Sequence, residues 1–404
     1  MSRTGNVVIV QGGGPTAVIN ASLYGIVRES TRRLDKSNRI WGACGGIVGV
    51  LQDRWQDLRK PSPRLWRSIA ESPGAALGSC RKMLTAQEAM EAVRVLQRRD
   101  VRYCFVIGGN DSMDTALKMA QAASEFHYEM ACCGVPKTID NDLPCTDHCP
   151  GFGSAARYIA QATVDLGMDI RTLPTPISIL EVMGRNAGWL TAATLLARRK
   201  PDDAPHLIYV PESPFVPADF LHDVQNVYDR QGWVVVAVSE GIIDEHGKSL
   251  GVTRDEKSTD AFGHALPGDV ATTLAGMVTA ELGLRARSEK PGILGRCSAL
   301  MVSPVDRREA KEVGSFAVSW AIRGNSNFMA SIQREHGKEY RVKYGAVSLD
   351  AVANLTRLLP LEFVAPRGND IKEKYREYVK PLIGGSLHHY AWLATRSLPR
   401  SKPN

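Results

Sequence analysis

Short apolar runs alternate with amphipathic stretches along most of the chain. Runs such as Asn6–Val10, Arg102–Ile107 and Ile177–Val182 are each followed by glycine and then by residues at helical spacing. Strands that helices cover on both faces show such nearly continuous apolar runs. The pattern therefore predicts an α/β fold with mostly parallel sheets, in which ligands bind at the carboxyl ends of the strands.

The same pattern predicts helices, a loop and a domain boundary at particular positions of the chain. Helices are expected from about Ala17 to Arg33 and from about Ser112 to Ser124, directly after glycine loops. The polar stretch 244–268 is expected to form an excursion or loop, and the end from about Leu398 is expected to fray. A break in the strand–helix rhythm near Pro150 predicts a domain boundary there.

Length and composition limit the class of protein. The chain has 404 residues, of which 44% are hydrophobic and 23% charged, so two ordinary domains with proper cores are possible. No segment approaches the roughly 18 uninterrupted apolar residues of a membrane helix. The first residues lead straight into a strand and lack the layout of a signal peptide, so we expect a cytoplasmic protein without membrane association.

The net charge of +7 is open to two interpretations, nucleic-acid binding or the handling of small anions. The lysines and arginines are scattered, with only short clusters such as Arg198–Lys200. No basic stripe interleaved with aromatic residues appears. The charge therefore favours small phosphorylated substrates, and no nucleic-acid partner is expected.

The segment PKTIDND, Pro136 to Asp142, follows the apolar run Met130–Val135 and combines a cation, a hydroxyl and two carboxylates. Phosphoryl transfer needs such groups: positive charge for phosphate oxygens, a base for the attacking hydroxyl, and acidic groups near magnesium. An acidic loop after a strand is also often a solvated turn. Both interpretations stay open on this segment alone.

Other loops at predicted strand ends carry similar chemistry. GGGPT (Gly12–Thr16) and GGNDS (Gly108–Ser112) can present backbone N–H groups to an anion, or can be a tight turn and a helix cap. MGRN (Met183–Asn186) places an arginine where it could clamp a phosphate, although most arginines are simply solvated. Glu240 could bind sugar hydroxyls or be exposed.

Taken in order, the motifs resemble the phosphofructokinase family over roughly Val7 to Gly324. They are GGGPTAVINAS, LGSCR, GGNDS, PKTIDNDLP, CPGFGSAARYIA, EVMGR, PES and SEG. The resemblance implies two similar Rossmann-like three-layer α/β domains with the active site in the cleft between them. It also implies completion of the site by a neighbouring subunit, and hence a homodimer or homotetramer.

We expect a phosphoryl-donor domain formed by 1–150 with part of about 306–325. A sugar-phosphate domain is expected from 151–305 with about 326–358, and 359–404 is expected to be a C-terminal appendage.

Two positions carry the family's split by phosphoryl donor. Members that use ATP have a Gly at the position of Asp111 and another at that of Lys137. They also have a Gly at the position of Thr115, which leaves room for adenine. Here a carboxylate would repel a nucleotide's α-phosphate, while the lysine fills that space and attracts a compact anion. The resemblance therefore implies pyrophosphate (diphosphate) as the donor and fructose 6-phosphate as the acceptor, in a reversible, Mg²⁺-dependent reaction of glycolysis.

The resemblance also implies roles for individual residues. The catalytic group is Asp140 as the base with Thr138, Asp142 and Arg185. The donor would be held by Gly13, Gly14, Arg81, Gly109, Asp111, Ser112 and Lys137. The sugar would be held by Met183, Gly184, Arg185, Glu240, Arg296 and Arg307. The metal would lie at Asn110 and Asp111.

Three departures from the family pattern concern the metal and the acceptor. Asn110 replaces the usual metal-binding Asp, Pro176 replaces an Arg, and Gly295–Met301 reads GRCSALM in place of GHxQRGG. Loss of two phosphate-binding arginines leaves open another ketose phosphate as the acceptor, such as sedoheptulose 7-phosphate. An ATP-dependent 6-phosphofructokinase and a non-catalytic sugar-phosphate-binding relative are also compatible with the sequence.

Overall fold

The computed structural model describes residues 5–251, 269–337 and 339–392. The strands of these residues are β1 (Asn6–Gln11), β2 (Ile40–Ala43), β3 (Trp55–Asp57), β4 (Val101–Gly108), β5 (Ala131–Pro136), β6 (Ile177–Val182), β7 (Leu207–Tyr209), β8 (Val234–Ser239), β9 (Ala286–Glu289), β10 (Phe328–Arg334) and β11 (Val342–Ser348). The α-helices are α1 (Ile19–Arg33), α2 (Ile47–Leu51), α3 (Pro63–Glu71), α4 (Ala86–Arg98), α5 (Asn110–Glu125), α6 (Phe152–Ile170), α7 (Trp189–Ala192), α8 (Pro217–Gln231), α9 (Val270–Leu282), α10 (Ile293–Cys297), α11 (Pro304–Ile322) and α12 (Lys374–Val379).

Two sheets organise the described residues. The larger has the order β11-β10-β5-β4-β1-β2-β3, and the smaller has the order β7-β8-β6-β9. Pairing is parallel except at the two edges of the larger sheet, where β11 and β3 run antiparallel to their neighbours. The predicted α/β class with mostly parallel sheets is therefore confirmed.

Both faces of the larger sheet are buried, as its apolar strands predict. In β1, Val7 and Ile9 belong to one core cluster, while Val8 and Val10 belong to another on the opposite face. This alternation follows from the period of two along a strand. Since neither face meets water, every position of the strand can be apolar.

Helices α1 and α11 cover one face of the larger sheet and approach each other closely. A Cβ atom on Gly25 would lie 2.0 Å from the backbone oxygen of Lys311, and one on Gly314 would lie 2.5 Å from that of Ser22. Glycine on each helix thus permits direct backbone contact. The contact ties the segment around 304–322 to α1 and so to the N-terminal part of the chain.

Two predicted segment assignments are wrong. Residues 328–334 and 342–348 were expected in the second domain, but β10 pairs with β5 and β11 pairs with β10 in the larger sheet. Residues 359–383 are not an appendage, because several of their side chains are buried in the core beside the smaller sheet. These side chains are Leu359, Phe363, Val364, Ile371, Tyr375, Val379, Leu382 and Ile383. The remaining domain division stays a prediction.

Other boundaries shift by a few residues. Helix α1 begins two residues after the predicted start, and α5 begins two residues before it. The expected loop falls largely, and the frayed end entirely, outside the described residues, at 252–268 and 393–404. No helix in the described ranges is long and apolar enough to cross a membrane.

Candidate active site

A cleft of about 560 Å³ lies where strands of both sheets end. Strands β1, β4 and β5 contribute the loops that follow them on one side, and β6 and β8 contribute theirs on the other. Ligands of parallel α/β sheets bind at such carboxyl ends. The lining residues are Gly13, Gly14, Thr16, Arg81, Met83, Gly109, Asn110, Asp111, Ser112, Lys137, Thr138, Ile139, Asp140, Asp142, Met183, Arg185, Asn186, Glu240, Arg296, Asn354 and Thr356.

The glycine loop after β1 is shaped by its neighbours. Gly13 has φ of +73°, which only glycine adopts at little cost, and its N–H donates to the backbone oxygen of Cys80 over 3.1 Å. The hydroxyl of Ser79 donates to the oxygen of Gly13 over 2.6 Å. The loop is thus fixed to the LGSCR segment, and Arg81 reaches the same cleft.

The start of α5 lies between the ends of β1 and β4. A Cβ on Gly108 would lie 1.9 Å from Oγ of Ser112, and one on Gly12 would lie 2.5 Å from it. Glycine at both positions therefore allows the first turn of α5 to enter the cleft. Asn110, Asp111 and Ser112 of that turn line the cleft, and the N–H groups of a helix's first turn can bind an anion.

Asp140 and Asp142 follow β5, and their environment disfavours two charges. Burial, and secondly the charge of Asp142, raises the pKa of Asp140 to about 7. Burial also raises the pKa of Asp142, although its hydrogen bond from Nδ2 of Asn110, at 2.8 Å, opposes the change. A carboxyl group that is half ionised near neutral pH is suited to general base catalysis.

Positive charges converge opposite these carboxylates. Nζ of Lys137 donates to the backbone oxygen of Gly14 over 2.7 Å. Burial lowers the pKa of Lys137 to about 8, against the opposing attraction of Asp140. A Cβ on Gly14 would lie 2.8 Å from Nη1 of Arg296, and burial followed by the charge of Arg81 lowers the pKa of Arg296. Three cations therefore surround the Gly13–Gly14 loop.

The far side of the cleft is built from β6 and β8. The N–H of Gly184 donates to Oε1 of Glu240 over 3.1 Å, and the hydroxyl of Ser239 donates to the oxygen of Gly184 over 2.6 Å. Burial raises the pKa of Glu240. These bonds hold the turn that carries Met183 and Arg185 toward the carboxylates.

The cleft brings together most of the residues that the sequence singled out. Gly184 supports the cleft through its N–H rather than lining it, and Arg307, in the first turns of α11, does not line it. The sequence predicts Arg296 among the sugar-binding residues, whereas in the structure its side chain lies beside Gly14.

Sequence reasoning missed six lining residues. Thr16 and Asn186 stand within quoted motifs, and Ile139 within the central one, so attention to those motifs could have found them. Met83 follows LGSCR by two residues. Asn354 and Thr356 carry no motif and reach the cleft only through the fold.

The donor set at the start of α5 fits a hard cation. Oδ1 of Asn110 is buried and has no hydrogen-bond partner among the described residues, and Asp111 is its neighbour. Magnesium prefers oxygen ligands and is usually held by one or two protein groups together with substrate phosphates. The described residues contain no group of three His, Cys, Asp or Glu that could hold a metal. This arrangement fits a metal that arrives with a phosphate substrate.

Parallel sheets, glycine loops, three converging cations and a pair of neighbouring carboxylates define an α/β protein of the phosphoryl-transfer class. Comparison with known proteins gives the family. Residues 6–321 match the family description Phosphofructokinase. The pyrophosphate–fructose 6-phosphate 1-phosphotransferase of Xanthomonas campestris pv. campestris (strain B100) is 42% identical over 389 residues, covering 94% of this chain and 92% of the relative.

Two further similarities agree. The crystal structure of the pyrophosphate-dependent phosphofructokinase from Marinobacter aquaeolei superposes with a TM-score of 0.85 at 36% identity, covering 98% of this chain and 95% of that one. The sulfofructose kinase of Alkalicoccus urumqiensis is 31% identical over 381 residues, covering 93% of this chain and 95% of the relative. The chain belongs to the phosphofructokinase family.

Proposed function

We propose that the protein transfers a phosphoryl group from pyrophosphate to the 1-hydroxyl of fructose 6-phosphate, reversibly and with Mg²⁺. The observation that carries the proposal is that Asp140 and Asp142 line one cleft together with Arg81, Lys137 and Arg296. Relatives at 36–42% identity that bear the name of this activity support the same conclusion.

The donor end of the cleft supports pyrophosphate over a nucleotide. Behind Gly13, the space between Cys80, Lys82, Asp111 and Thr115 amounts to about 20 Å³. A cavity of that size holds about one water molecule and no nucleoside. Thr115 is buried and donates to the backbone oxygen of Asp111 over 2.9 Å, so it keeps this space closed.

In the proposed reaction Asp140 accepts the proton of the sugar's 1-hydroxyl. The oxygen then forms its bond to the nearer phosphorus while the bridging P–O bond breaks, and the bridging electrons leave with inorganic phosphate. Thr138 and the backbone of Gly13 and Gly14 would hold the transferring group, and Asp142 would orient Asp140. The products are fructose 1,6-bisphosphate and phosphate, and Asp140 takes up the proton.

The remaining cleft residues would bind the phosphoryl donor and neutralise negative charge. Arg81, Lys137 and the first turn of α5, with Gly109, Asp111 and Ser112, would hold the donor, and Arg185 would stabilise charge in the transition state. Such electrostatic groups supply most of the catalysis in phosphoryl transfer. Mg²⁺, held by Asn110 and Asp111, would neutralise the phosphate oxygens when bound.

The acceptor side of the cleft has fewer cations for a phosphate group than the donor side. Met183, Gly184 and Glu240 would shape the sugar pocket, and Arg185 is the cation that the described residues place there. Arg307 lies outside the cleft, and Arg296 leans toward Gly14. We therefore infer that a neighbouring subunit of a homodimer or homotetramer supplies charge for the 6-phosphate, as family membership suggests.

One assay tests donor and acceptor together. Purified protein with Mg²⁺ and fructose 6-phosphate should turn over with pyrophosphate and not with ATP. Turnover with ATP alone would refute the donor assignment. Activity with sedoheptulose 7-phosphate or a sugar sulfonate, but not with fructose 6-phosphate, would refute only the acceptor.

Variants give the donor test a structural basis. Asp111→Gly with Lys137→Gly should weaken pyrophosphate use at least tenfold, because hydrogen bonds to charged groups contribute about 1.5–3 kcal/mol each. The matched control is Lys82→Gly, since Lys82 borders the closed cavity but does not line the main cleft. A double variant that kept full affinity for pyrophosphate would contradict the assigned role of Lys137.

A further inference from the structure

The loop that follows Asp140 is gathered around one guanidinium group. Arg357 donates from Nη1 to the backbone oxygens of Thr146 (2.5 Å) and Asp147 (2.8 Å), and from Nη2 to that of Asn141 (2.6 Å). Its own N–H donates to the oxygen of Asp142 over 2.7 Å. Four carbonyl groups between 141 and 147 thus point at a single residue that lies more than 200 positions away in the chain.

The segment between the two carboxylates needs this support. Asn141 has φ of +55°, a conformation that costs about 1 kcal/mol or more in a residue with a side chain. Its Nδ2 donates to the hydroxyl of Tyr378 over 2.8 Å, and its Oδ1 accepts from the N–H of Cys149 over 3.0 Å. Tyr378 in turn donates to the oxygen of Asp147 over 2.7 Å.

Arginine suits this position for reasons that lysine does not share. A guanidinium presents five N–H donors in a fixed plane, whereas an ammonium is a point charge with three. The plane of Arg357 lies over the ring of Trp189 at 4.5 Å, and Trp189 Nε1 donates to the oxygen of Arg357 over 3.0 Å. Side chain and backbone of Arg357 are therefore both held before any substrate binds.

We propose that Arg357, with Tyr378, is a positioning residue for the carboxylates that flank Asn141. Arg357 does not line the cleft, and it acts through the backbone of the loop that carries Asp140 and Asp142. Arg357 and Tyr378, which both follow β11 in the chain, thereby set the geometry of the proposed base. This inference rests on the proposed function, since it assigns Asp140 to proton transfer.

The guanidinium of Arg357 brings a positive charge as well as planar donors to the loop that carries Asp140 and Asp142. Geometry and charge can be separated, because lysine keeps the charge and loses the planar set of donors.

The experiment compares Arg357→Lys and Arg357→Met with Arg376→Lys as the matched control. Arg376 also follows β11 in the chain and donates to two backbone oxygens, those of Leu195 and Arg198, but outside the cleft. For both Arg357 variants kcat should fall about 10–100-fold, since a displacement near 1 Å can cost about 10². KM for both substrates should stay within about threefold, and Arg376→Lys should leave kcat unchanged.

The split between kcat and KM distinguishes positioning from mere structural support. Both Arg357 variants should lose kcat while KM for pyrophosphate and for the sugar phosphate stays in place. A kcat loss that Arg376→Lys shares, or a loss confined to KM, would overturn the proposal. If the Arg357 variants fail to fold, Tyr378→Phe decides: a loss of about three- to tenfold in kcat at constant KM supports the proposal, and an unchanged kcat overturns it.

A second readout does not depend on turnover. Amide hydrogen exchange of peptides from 138–149 should be faster in both Arg357 variants than in wild type, and unchanged in Arg376→Lys. Unaltered exchange would overturn the proposal. Wild-type protein without pyrophosphate-dependent turnover would refute the proposed function, while the exchange data would still show whether Arg357 holds the loop.

Discussion

The dependence of the reaction rate on pH should report two cleft groups of opposite charge, Asp140 and Lys137. Burial and Asp142 raise the pKa of Asp140 to about 7, and burial lowers that of Lys137 to about 8. Asp140 must be ionised to accept a proton, so activity falls below pH 7. Lys137 must be protonated to attract phosphate, so activity falls above pH 8.

The magnitudes follow from these two values. The rate constant kcat/KM, which reports groups of the free enzyme, should fall tenfold for each pH unit outside the window. Because the two pKa values lie only about one unit apart, about 60% of the molecules are in the active form at the maximum near pH 7.5. A bell-shaped profile of kcat/KM against pH with a narrow maximum is therefore expected, rather than a plateau.

The test measures kcat/KM for pyrophosphate from pH 5.5 to 9.5 in wild type, Lys137→Arg and Asp140→Asn. Arginine stays charged throughout this range, so Lys137→Arg should lose the alkaline limb and keep the acidic one. Asp140→Asn should lose about 10²–10⁴ in kcat, the scale of a general base. Limbs that arise from the substrates' own phosphates would persist in all three proteins.

Two outcomes would refute the reasoning. The absence of an acidic limb above pH 5.5 would mean that Asp140 is solvated and keeps an ordinary, lower pKa in the working enzyme. An alkaline limb that survives in Lys137→Arg would belong to another group, and the lysine would then have no part in the titration.

Two further predictions concern stability. Burial disfavours the charged form of His148, but hydrogen bonds to two carboxylates outweigh it and raise its pKa to about 9 from 6.5. This stabilisation is complete below pH 6.5 and is lost as pH rises through 9. Over that range the free energy of unfolding of the wild type should fall by about 3 kcal/mol relative to that of His148→Gln, as measured by urea titration. Gly25→Ala should destabilise the protein by about 1–3 kcal/mol, because the added Cβ would meet a backbone oxygen at 2.0 Å. The control is Gly276→Ala in an exposed helical position, where a Cβ has nothing within 4 Å, and it should be neutral or stabilising. Thermal unfolding measures both variants.

The sequence predicts the centre of the cleft well because that centre is local. Lys137 to Asp142 follow one buried strand directly, and Gly13 and Asp111 follow two others. Parallel strands bring their carboxyl ends to one edge, so residues that are far apart in sequence meet there without any need to know their exact register. An apolar run and a following motif are enough to place them.

The parts that the sequence did not predict depend on long-range pairing. Strand β11 has partly exposed residues and no continuous apolar run, so only its antiparallel pairing with β10 reveals it as an edge of the larger sheet. The segment 359–383 buries single residues, such as Phe363 from a short 3-10 turn and Tyr375 from the six-residue helix α12, which is too short to show a helical period in the sequence. Arg357 looks like any solvated arginine until the carbonyl groups around it are seen.

The position of Arg296 links the two halves of the cleft. It comes from the sequence segment where the family usually binds the sugar's phosphate, yet it lies beside Gly14 and within the electrostatic influence of both Arg81 and Asp140. Pyrophosphate bound there would neutralise Arg81, Lys137 and Arg296 together. Removal of that positive field raises the pKa of Asp140, which makes it a stronger base, and the bound anion raises the pKa of Lys137, which keeps it charged. The donor would thus prepare both groups, so that the acidic limb of kcat lies at higher pH than that of kcat/KM for pyrophosphate.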